Sequence, residues 1–408
     1  MNADWFSPRA IIASYREDIR RFDPNLRLLF TAIIFNSIGT GFILPFIVIY
    51  FNEVLSIKYS LIGIALGVRG VIDLVFKFAG GNLADRIGRK RVLITGIIFF
   101  LLSYIAFVSI STFKGLLVAV TIQGIGLGLF WPASLSMISD LVSPEMKQKA
   151  FAINRAARTG GLGLGIALGG FIATFSYRAL FYLDIFFTAL FLLVVIFRIP
   201  ETRSKDGEED QDGGRLRKAI RDPRIVIFAL LNISFALLVA QFINIFPPYL
   251  KDFLGVSNLL IGNVFLINAV IIVIFQLNVV EAVEQVDAMQ TFRYGFLLWL
   301  GATSLIFIAT PGFIAIIVSA LAIILISFAS MVFNPSAASF VSRIAPDGST
   351  GTYMSMYSAS YSIGFLLGPV MGGWFLDNHP RELWLALTAL VLFSLTALQL
   401  YRKHILDY

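Results

Sequence analysis

Residues Gly81–Arg91, which read GNLADRIGRKR, are the stretch from which the fold can be worked out. Five of these residues are charged, and four of the five are basic. Apolar runs near residues 61–83 and 92–112 border the stretch, and each has the roughly 20 residues that a helix needs to span a bilayer. The stretch is therefore predicted to form a short polar loop between two transmembrane helices.

On both sides of this loop, apolar runs of similar length recur along the whole chain. Hydrophobic residues make up 58% of the sequence and charged residues 14%, against roughly 45–50% and about 25% in soluble domains. The mean hydropathy is +0.83. The chain is therefore predicted to be an all-α integral membrane protein with 12 transmembrane helices. The predicted spans lie near residues 27–51, 61–83, 92–112, 115–139, 151–175, 179–199, 225–249, 258–282, 292–310, 312–341, 352–376 and 382–401.

The positions of the basic residues predict the orientation of these spans. Of the 32 Lys and Arg residues, 23 fall on the side that carries both termini, five on the other side and four within spans. Basic loops stay in the cytoplasm, so both termini are predicted to be cytoplasmic in a multi-pass protein of the plasma membrane. This distribution accounts for the net charge of +7 without a nucleic-acid partner. The predicted units are a cytoplasmic amphipathic segment at 1–25, a six-helix bundle at 26–199, a cytoplasmic linker at 200–224, a second six-helix bundle at 225–402 and a cytoplasmic tail at 403–408.

The two halves repeat each other in sequence. At an offset of 203 residues, Phe130 and Pro132 match Phe333 and Pro335. At an offset of 199 residues, the run Leu61-Ile62-Gly63 matches Leu260-Ile261-Gly262. A displacement by six helices preserves their direction, so the halves are expected to form a parallel repeat about an axis along the membrane normal.

The loop at Gly81–Arg91 closely resembles the signature of the major facilitator superfamily, G-x-L-A-D-R-x-G-R-K/R. The resemblance extends over nearly the whole chain and includes Pro200-Glu201-Thr202 at the end of the sixth span. It implies the major facilitator fold, in which two bundles related by a pseudo-two-fold axis expose a central site to each side of the membrane in turn.

The same resemblance implies that the loop is a conformational latch. Arg89 is expected to form ion pairs with the acidic residues of the latch. The expected members are Gly81, Asp85, Arg86, Gly88, Arg89 and Asp140. The alternative is a purely topological role for the basic residues. In the second half, Glu284 takes the position of Asp85, but Ala288 and Met289 replace the bases.

Glycines at intervals of four residues in the fifth and eleventh spans predict close helix packing. The fifth span resembles the antiporter signature of the family, although Ile166 stands where proline is expected. The eleventh span keeps its Pro369. These spans are read either as pliable gate helices, which are typical of exporters, or as ordinary tight packing. The proposed gate residues are Gly161, Gly165, Gly169, Gly364, Gly368, Pro369 and Gly372.

Four basic residues and Asp73 are singled out among the charged residues within predicted spans. Arg69, Asp73 and Lys77 follow one another at intervals of four, which places them on one helix face. Asp73 is either a proton carrier or substrate contact, or one member of a permanent ion pair with its two basic neighbours. Arg155 and Arg158 either bind an anionic group of a substrate or pair with acids such as Asp140.

Polar and aromatic residues within the spans mark a candidate substrate cavity. The tyrosine stripe at Tyr353, Tyr357 and Tyr361 is explained either by packing or by ligand recognition. The candidate cavity residues are Asn36, Trp131, Arg158, Gln241, Asn244, Asn268, Gln276, Asn334, Tyr357 and Tyr361.

These features favour a secondary active transporter and not an enzyme. The chain has no Cys and two His, so no cofactor, metal site or catalytic residue is expected. The first expectation is proton-coupled efflux of amphipathic small molecules by a monomer in the lipid bilayer. Uptake of a small metabolite, including an anionic one, is the alternative. A transport-inactive receptor or assembly partner is the alternative from another class of protein.

Overall fold

A computed structural model describes residues 22–143, 146–202, 219–284, 286–346 and 349–405. Most of the predicted N-terminal segment at 1–25 and most of the predicted linker at 200–224 lie outside these residues.

The described residues contain twelve helices that are long and apolar enough to cross a membrane, which confirms the predicted number. Each coincides with one predicted span. In the first half they are α1 (Pro24–Ile43, continued by Ile47–Glu53), α2 (Tyr59–Ile87), α3 (Arg89–Ser109), α4 (Phe113–Asp140), α5 (Lys147–Ala173) and α6 (Tyr177–Arg198). In the second half they are α7 (Pro223–Asn244), α8 (Asn258–Glu284), α9 (Ala288–Ile308), α10 (Phe313–Ile344), α11 (Thr350–Asn378) and α12 (Glu382–Ile405).

The first helix of each half starts and breaks in the same way. Asp23 caps the first residues of α1, and Asp222 caps those of α7, each followed by a proline that cannot donate a backbone hydrogen bond. Near its other end α1 is interrupted by a turn that contains Pro45. The chain after α7 is interrupted at the equivalent place, just before Pro247 and Pro248, and continues in a π-helical turn at Tyr249–Phe253.

The packing of the helices repeats after a shift of six helices. In the first half α1 packs on α5 and α6, and α4 packs on α2 and α3. In the second half α7 packs on α11 and α12, and α10 packs on α8 and α9. The predicted two six-helix bundles and their parallel pseudo-two-fold repeat are therefore confirmed.

The two bundles meet along two equivalent pairs of helices, α2 with α11 and α5 with α8. We call the membrane side at which α6 ends and α7 begins the linker face, and the opposite side the far face. Glycines near the far face bring the paired helices into backbone contact. A Cβ at Gly170 would lie 2.7 Å from the carbonyl oxygen of Asn258 and 2.8 Å from the Cα of Gly262. Gly373 meets Tyr59 and Gly63 in the equivalent way, so both contacts close the far side of the molecule.

Candidate functional site

Polar contacts between the two halves complete the closure of the far face. Lys251, in the turn after α7, pairs with Glu53 at the end of α1 and contacts the hydroxyl of Tyr177. The hydroxyl of Tyr59 donates to Asp252. We call the residues that make these contacts the far-face cluster. They are Glu53, Tyr59, Tyr177, Lys251, Asp252, Asn258 and Asp377.

Asp377 extends this cluster by capping a helix of the opposite half. Its carboxylate accepts from the backbone N–H groups of Tyr59, at 3.1 Å, and Ser60, at 2.8 Å. These groups begin α2, so the negative charge also meets the positive end of the helix dipole. The cap therefore stabilises contact between the second half and the first.

Two charged members of the cluster have altered proton affinity. Burial raises the pKa of Asp252, and the negative charge of Glu53 raises it further. Burial acts to lower the pKa of Lys251, but its hydrogen bonds to Glu53 and Tyr177 raise it above its ordinary value. Lys251 is thus held in its charged form, while Asp252 binds a proton more readily than a free carboxylate.

A cavity of about 460 Å³ lies between the halves on the linker side of these seals. Helices α4 and α5 of the first half line it together with α10 and α11 of the second. Five of the ten predicted cavity residues are in its wall, namely Trp131, Arg158, Asn334, Tyr357 and Tyr361. Trp131 and Asn334 occupy equivalent positions in the repeat, so the cavity is built around the pseudo-two-fold axis.

Arg155 and Arg158 give this cavity its charge. Both line it, and the guanidinium carbon of Arg158 lies 4.8 Å from the centre of the Trp131 ring, in cation–π geometry. Neither arginine forms an ion pair with a residue that the structure describes, and the expected pairing with Asp140 is wrong. Asp140 is instead bound by Arg89. The wall of the cavity therefore carries two cations that have no acidic partner among the described residues.

The other five predicted cavity residues are absent from its wall. Hydrogen bonds hold three of them within the second bundle. Gln241 donates to the carbonyl oxygen of Gly368 at 2.8 Å, Asn244 to that of Ala240 at 2.9 Å, and Asn268 to the hydroxyl of Ser327 at 2.7 Å. Polar side chains in an apolar helix can serve packing as well as recognition, and the sequence did not distinguish the two roles. The remaining two are Asn36 and Gln276.

The charged face of α2 is divided. Lys77 pairs with Asp73 at 2.7 Å and also contacts Ser362 of α11 at 3.3 Å. Arg69 turns away and donates to Gln123 of α4 at 3.2 Å. Arg69 and Asp73 form no ion pair, so the alternative of a permanent ion pair between Asp73 and both basic neighbours is wrong.

The predicted latch loop contains the expected contact between Arg89 and Asp140, and Arg89 also donates to the carbonyl oxygen of Ser136 at 3.1 Å. Gly88 adopts a φ of 106°, which favours glycine. Sequence reasoning noted Glu201 at the end of the sixth span but missed its contact with this loop. Its carboxylate accepts from the backbone N–H groups of Arg89 at 2.9 Å and Lys90 at 3.3 Å. The surroundings of Gly81 and the side chains of Asp85 and Glu284 lie outside what the structure describes, and a latch role for the loop, including Arg86, stays a prediction.

The predicted gate glycines pack within their own halves. A Cβ at Gly161 would lie 2.7 Å from the carbonyl oxygen of Ile34, and one at Gly169 would lie 2.9 Å from that of Phe42. In the second half, a Cβ at Gly364 would lie 2.5 Å from the carbonyl oxygen of Ile233. Tight packing is thus present, while a gate role for Gly165, Gly368, Pro369, Gly372 and their neighbours stays a prediction.

Asp184 of α6 is the second feature that sequence reasoning missed. Its side chain is fully buried, and the hydroxyl of Thr188 donates to its Oδ1 at 3.2 Å. Its Oδ2 has no hydrogen-bond partner. The sequence did hold a signal, because Asp184 is an acid within an apolar run that has no basic residue three or four positions away.

Twelve spans in two pseudo-symmetric halves, with a polar cavity between the halves, define a membrane protein of the secondary transporter class. The family model of the Major Facilitator Superfamily matches residues 29–280 and 228–404. The chain therefore belongs to the Major Facilitator Superfamily, whose members are transporters and not enzymes.

Relatives of known sequence and structure agree with this assignment. The chain is 26% identical over 389 residues to the uncharacterized MFS-type transporter YttB of Bacillus subtilis, covering 93% of this chain and 96% of that protein. It is also 26% identical over 380 residues to Multidrug resistance protein 1 of the same organism, covering 87% and 91%. Among solved structures, the nucleoside transporter NupG superposes with a TM-score of 0.79 at 15% identity, covering 93% of this chain and 100% of that one. The last comparison shows the fold alone.

Proposed function

We propose that this transporter exports amphipathic small molecules across the plasma membrane in exchange for protons, acting as a monomer. In this proposal the cavity at Trp131 and Arg158 binds the substrate, and the two bundles rock about it so that each face opens in turn. The observation that carries the proposal is the sealed far face beside a polar cavity at the linker side. The similarity to Multidrug resistance protein 1 of Bacillus subtilis supports the direction of export.

The orientation in the membrane follows from charge. The helix ends and loops at the linker face carry basic side chains such as Arg86, Arg91 and Arg221. Basic loops remain in the cytoplasm. We therefore assign the linker face to the cytoplasm. The conformation described here would then be open toward the cytoplasm, the state in which an exporter takes up its substrate.

The chemistry of the cavity favours a substrate with an aromatic body and an anionic group. Trp131, Tyr357 and Tyr361 offer flat apolar surfaces on which such a body can stack. Arg155 and Arg158 offer guanidinium groups that bind carboxylates in two-pronged geometry. Since neither arginine has an acidic partner among the described residues, a substrate anion would supply the missing countercharge.

The proposal is tested with purified protein in liposomes that carry an imposed pH gradient. A fluorescent aromatic carboxylate is compared with its neutral amide and with an aromatic cation of similar size. We expect the carboxylate to move in the direction opposite to proton flow. Its movement should stop when the gradient is collapsed. Transport of all three compounds without any response to the gradient would contradict the proposal.

Uptake of a small anionic metabolite is the second candidate, and the same two arginines favour it. The two candidates differ in the direction that the gradient imposes. In an exporter of this kind substrate moves opposite to the proton, whereas in a symporter both move together. If the carboxylate accumulates on the side to which protons flow, the protein is a symporter, and uptake is the correct function in place of export.

A further inference from the structure

The interior of the first bundle contains an acid that the proposed substrate cavity does not use. Asp184 lies seven residues into α6 from the far face, in a run that is otherwise apolar, and none of its side chain is exposed. Its Oδ1 accepts one hydrogen bond from Thr188 of the same helix, and its Oδ2 accepts none. No Lys or Arg side chain that the structure describes forms an ion pair with it.

The groups that face Asp184 come from three neighbouring helices. The phenol of Tyr104 on α3 approaches the carboxyl, and Thr40 of α1 lies beside that phenol. Arg69 of α2 also lies within electrostatic reach of that phenol, and its guanidinium is bound to Gln123. This arginine is thus engaged with Gln123 and forms no ion pair with Asp184.

This arrangement fits the neutral acid and not the carboxylate. An ionised carboxylate without a countercharge is very costly in a medium of low polarity, whereas a neutral acid costs far less. Asp73 differs in this respect, because Lys77 supplies a countercharge at 2.7 Å. Of the two membrane acids, Asp184 is therefore the one whose surroundings suit a bound proton.

We infer that Asp184 is the proton-binding site of the first bundle and holds a proton in this conformation. The inference rests on the proposed function, since it assigns the proton that drives export to a residue. One proton from water at the far face would add to the carboxylate oxygen and later leave to water at the linker face. In the deprotonated state, Arg69, which shares Tyr104 as a neighbour with Asp184, would compensate the charge.

The packing of α1 gives this site a route to the substrate cavity. Gly39 of α1 faces Asp184 so closely that any Cβ there would meet its Oδ1. On its other side α1 contacts α5, where a Cβ at Gly161 would lie 2.8 Å from the Cβ of Ser37. α5 also carries Arg155 and Arg158. A change in charge at Asp184 therefore acts on a helix that touches the substrate-binding helix directly.

The first experiment compares Asp184→Asn with Asp73→Asn, each of which removes one membrane carboxylate, in liposomes. Asp184→Asn should lose accumulation driven by the pH gradient and should retain exchange of labelled for unlabelled substrate across the membrane. Asp73→Asn should yield less folded protein, because Lys77 is left unpaired, and should keep its dependence on the gradient. Gradient-driven accumulation by Asp184→Asn at the wild-type level would overturn the inference.

The second experiment is infrared spectroscopy of the protein in lipid at neutral pH, and it does not depend on transport. The wild type should show the carbonyl band of a protonated carboxylic acid, and Asp184→Asn should lack it. Thr188→Val, which removes the hydrogen bond to Oδ1, should shift the band and serves if Asp184→Asn does not fold. A wild type without this band, or a band that Thr188→Val leaves in place, would overturn the inference. Wild-type protein that shows the band and no gradient-driven transport would instead overturn the proposed function.

Discussion

Apart from Arg69, which is bound to Gln123, the charged side chains discussed within the membrane fall into two groups. Asp73 and Lys77 neutralise each other at 2.7 Å, which makes α2 compatible with a membrane. Arg155, Arg158 and Asp184 have no ion-pair partner among the residues that the structure describes. Since an unpaired charge in hydrocarbon is costly, these three residues mark places where water, a proton or a ligand completes the site.

Arg158 provides a prediction at the residue scale. Arg158→Gln keeps a polar side chain but removes a charged hydrogen bond, a contact that contributes about 1.5–3 kcal/mol. The half-saturating concentration of the aromatic carboxylate should therefore rise about tenfold or more, while that of its neutral amide should stay close to the wild-type value. The measurement is transport rate against substrate concentration in liposomes.

Arg293→Gln is the matched control, because Arg293 is an exposed arginine on α9, outside the cavity wall. It should leave both concentrations as they are in the wild type. Equal losses for carboxylate and amide in Arg158→Gln would mean that Arg158 supports packing and does not recognise the anion.

At the scale of helices, two kinds of glycine contact have different consequences. The contacts of Gly161 and Gly169 with α1 lie within the first bundle and persist if that bundle moves as one body. The contacts of Gly170 with α8 and of Gly373 with α2 lie between the bundles and must part when the far face opens. The glycines at the interface between bundles are therefore the ones that set the balance between the two states.

Gly170→Ala tests this distinction. The added methyl group would lie 2.7–2.8 Å from backbone atoms of Asn258 and Gly262, so the far face should close less readily. Gly160→Ala is the matched control on the same helix, because its nearest contact would be Val273 at 3.9 Å. The chain has no cysteine of its own, so a single cysteine introduced in the cavity can be labelled specifically. Its labelling from the linker face should be slower in Gly170→Ala and unchanged in Gly160→Ala. Equal labelling of both variants would contradict the account.

The helices could be predicted from the sequence far better than the contacts between them. The spans follow from apolar runs whose length the bilayer sets, and the repeat fixes which helices correspond. Trp131, Asn334 and Tyr357 were found because the repeat or a helical spacing singled them out. The pairing of Glu53 with Lys251 could not be predicted, because 198 residues separate the two and neither belongs to a recognisable motif. Arg69 was misassigned because an interval of four residues fixes a helix face but not the neighbour that a long side chain reaches.

The whole molecule is a pair of bundles whose far-side contact depends on ionisable groups. In the closed state burial raises the pKa of Asp252 above that of a carboxyl in water, and the far-face cluster surrounds it with Tyr59, Glu53 and Lys251. A group with a higher pKa in the closed state than in the open state binds protons preferentially when closed. Acid at the far face should therefore favour closure of that face, and this effect is lost as the pH rises through the closed-state pKa.

Asp252→Asn tests this pH dependence. The amide cannot titrate in this range and keeps an acceptor for the hydroxyl of Tyr59. In the wild type, lowering the pH at the far face should increase the labelling of a cavity cysteine from the linker face. In Asp252→Asn that response should be weaker. An identical response in both proteins would assign the pH dependence to another group.

In the proposed mechanism, one cavity between the bundles opens to each face of the membrane in turn. The most direct measurement uses Ser358→Cys, which places a single thiol in the cavity wall, and a maleimide that cannot cross the membrane. The thiol should react from the linker face in the resting protein, and it should become reactive from the far face when substrate is supplied under a pH gradient. Reaction from the linker face alone under every condition would contradict alternating access in this protein.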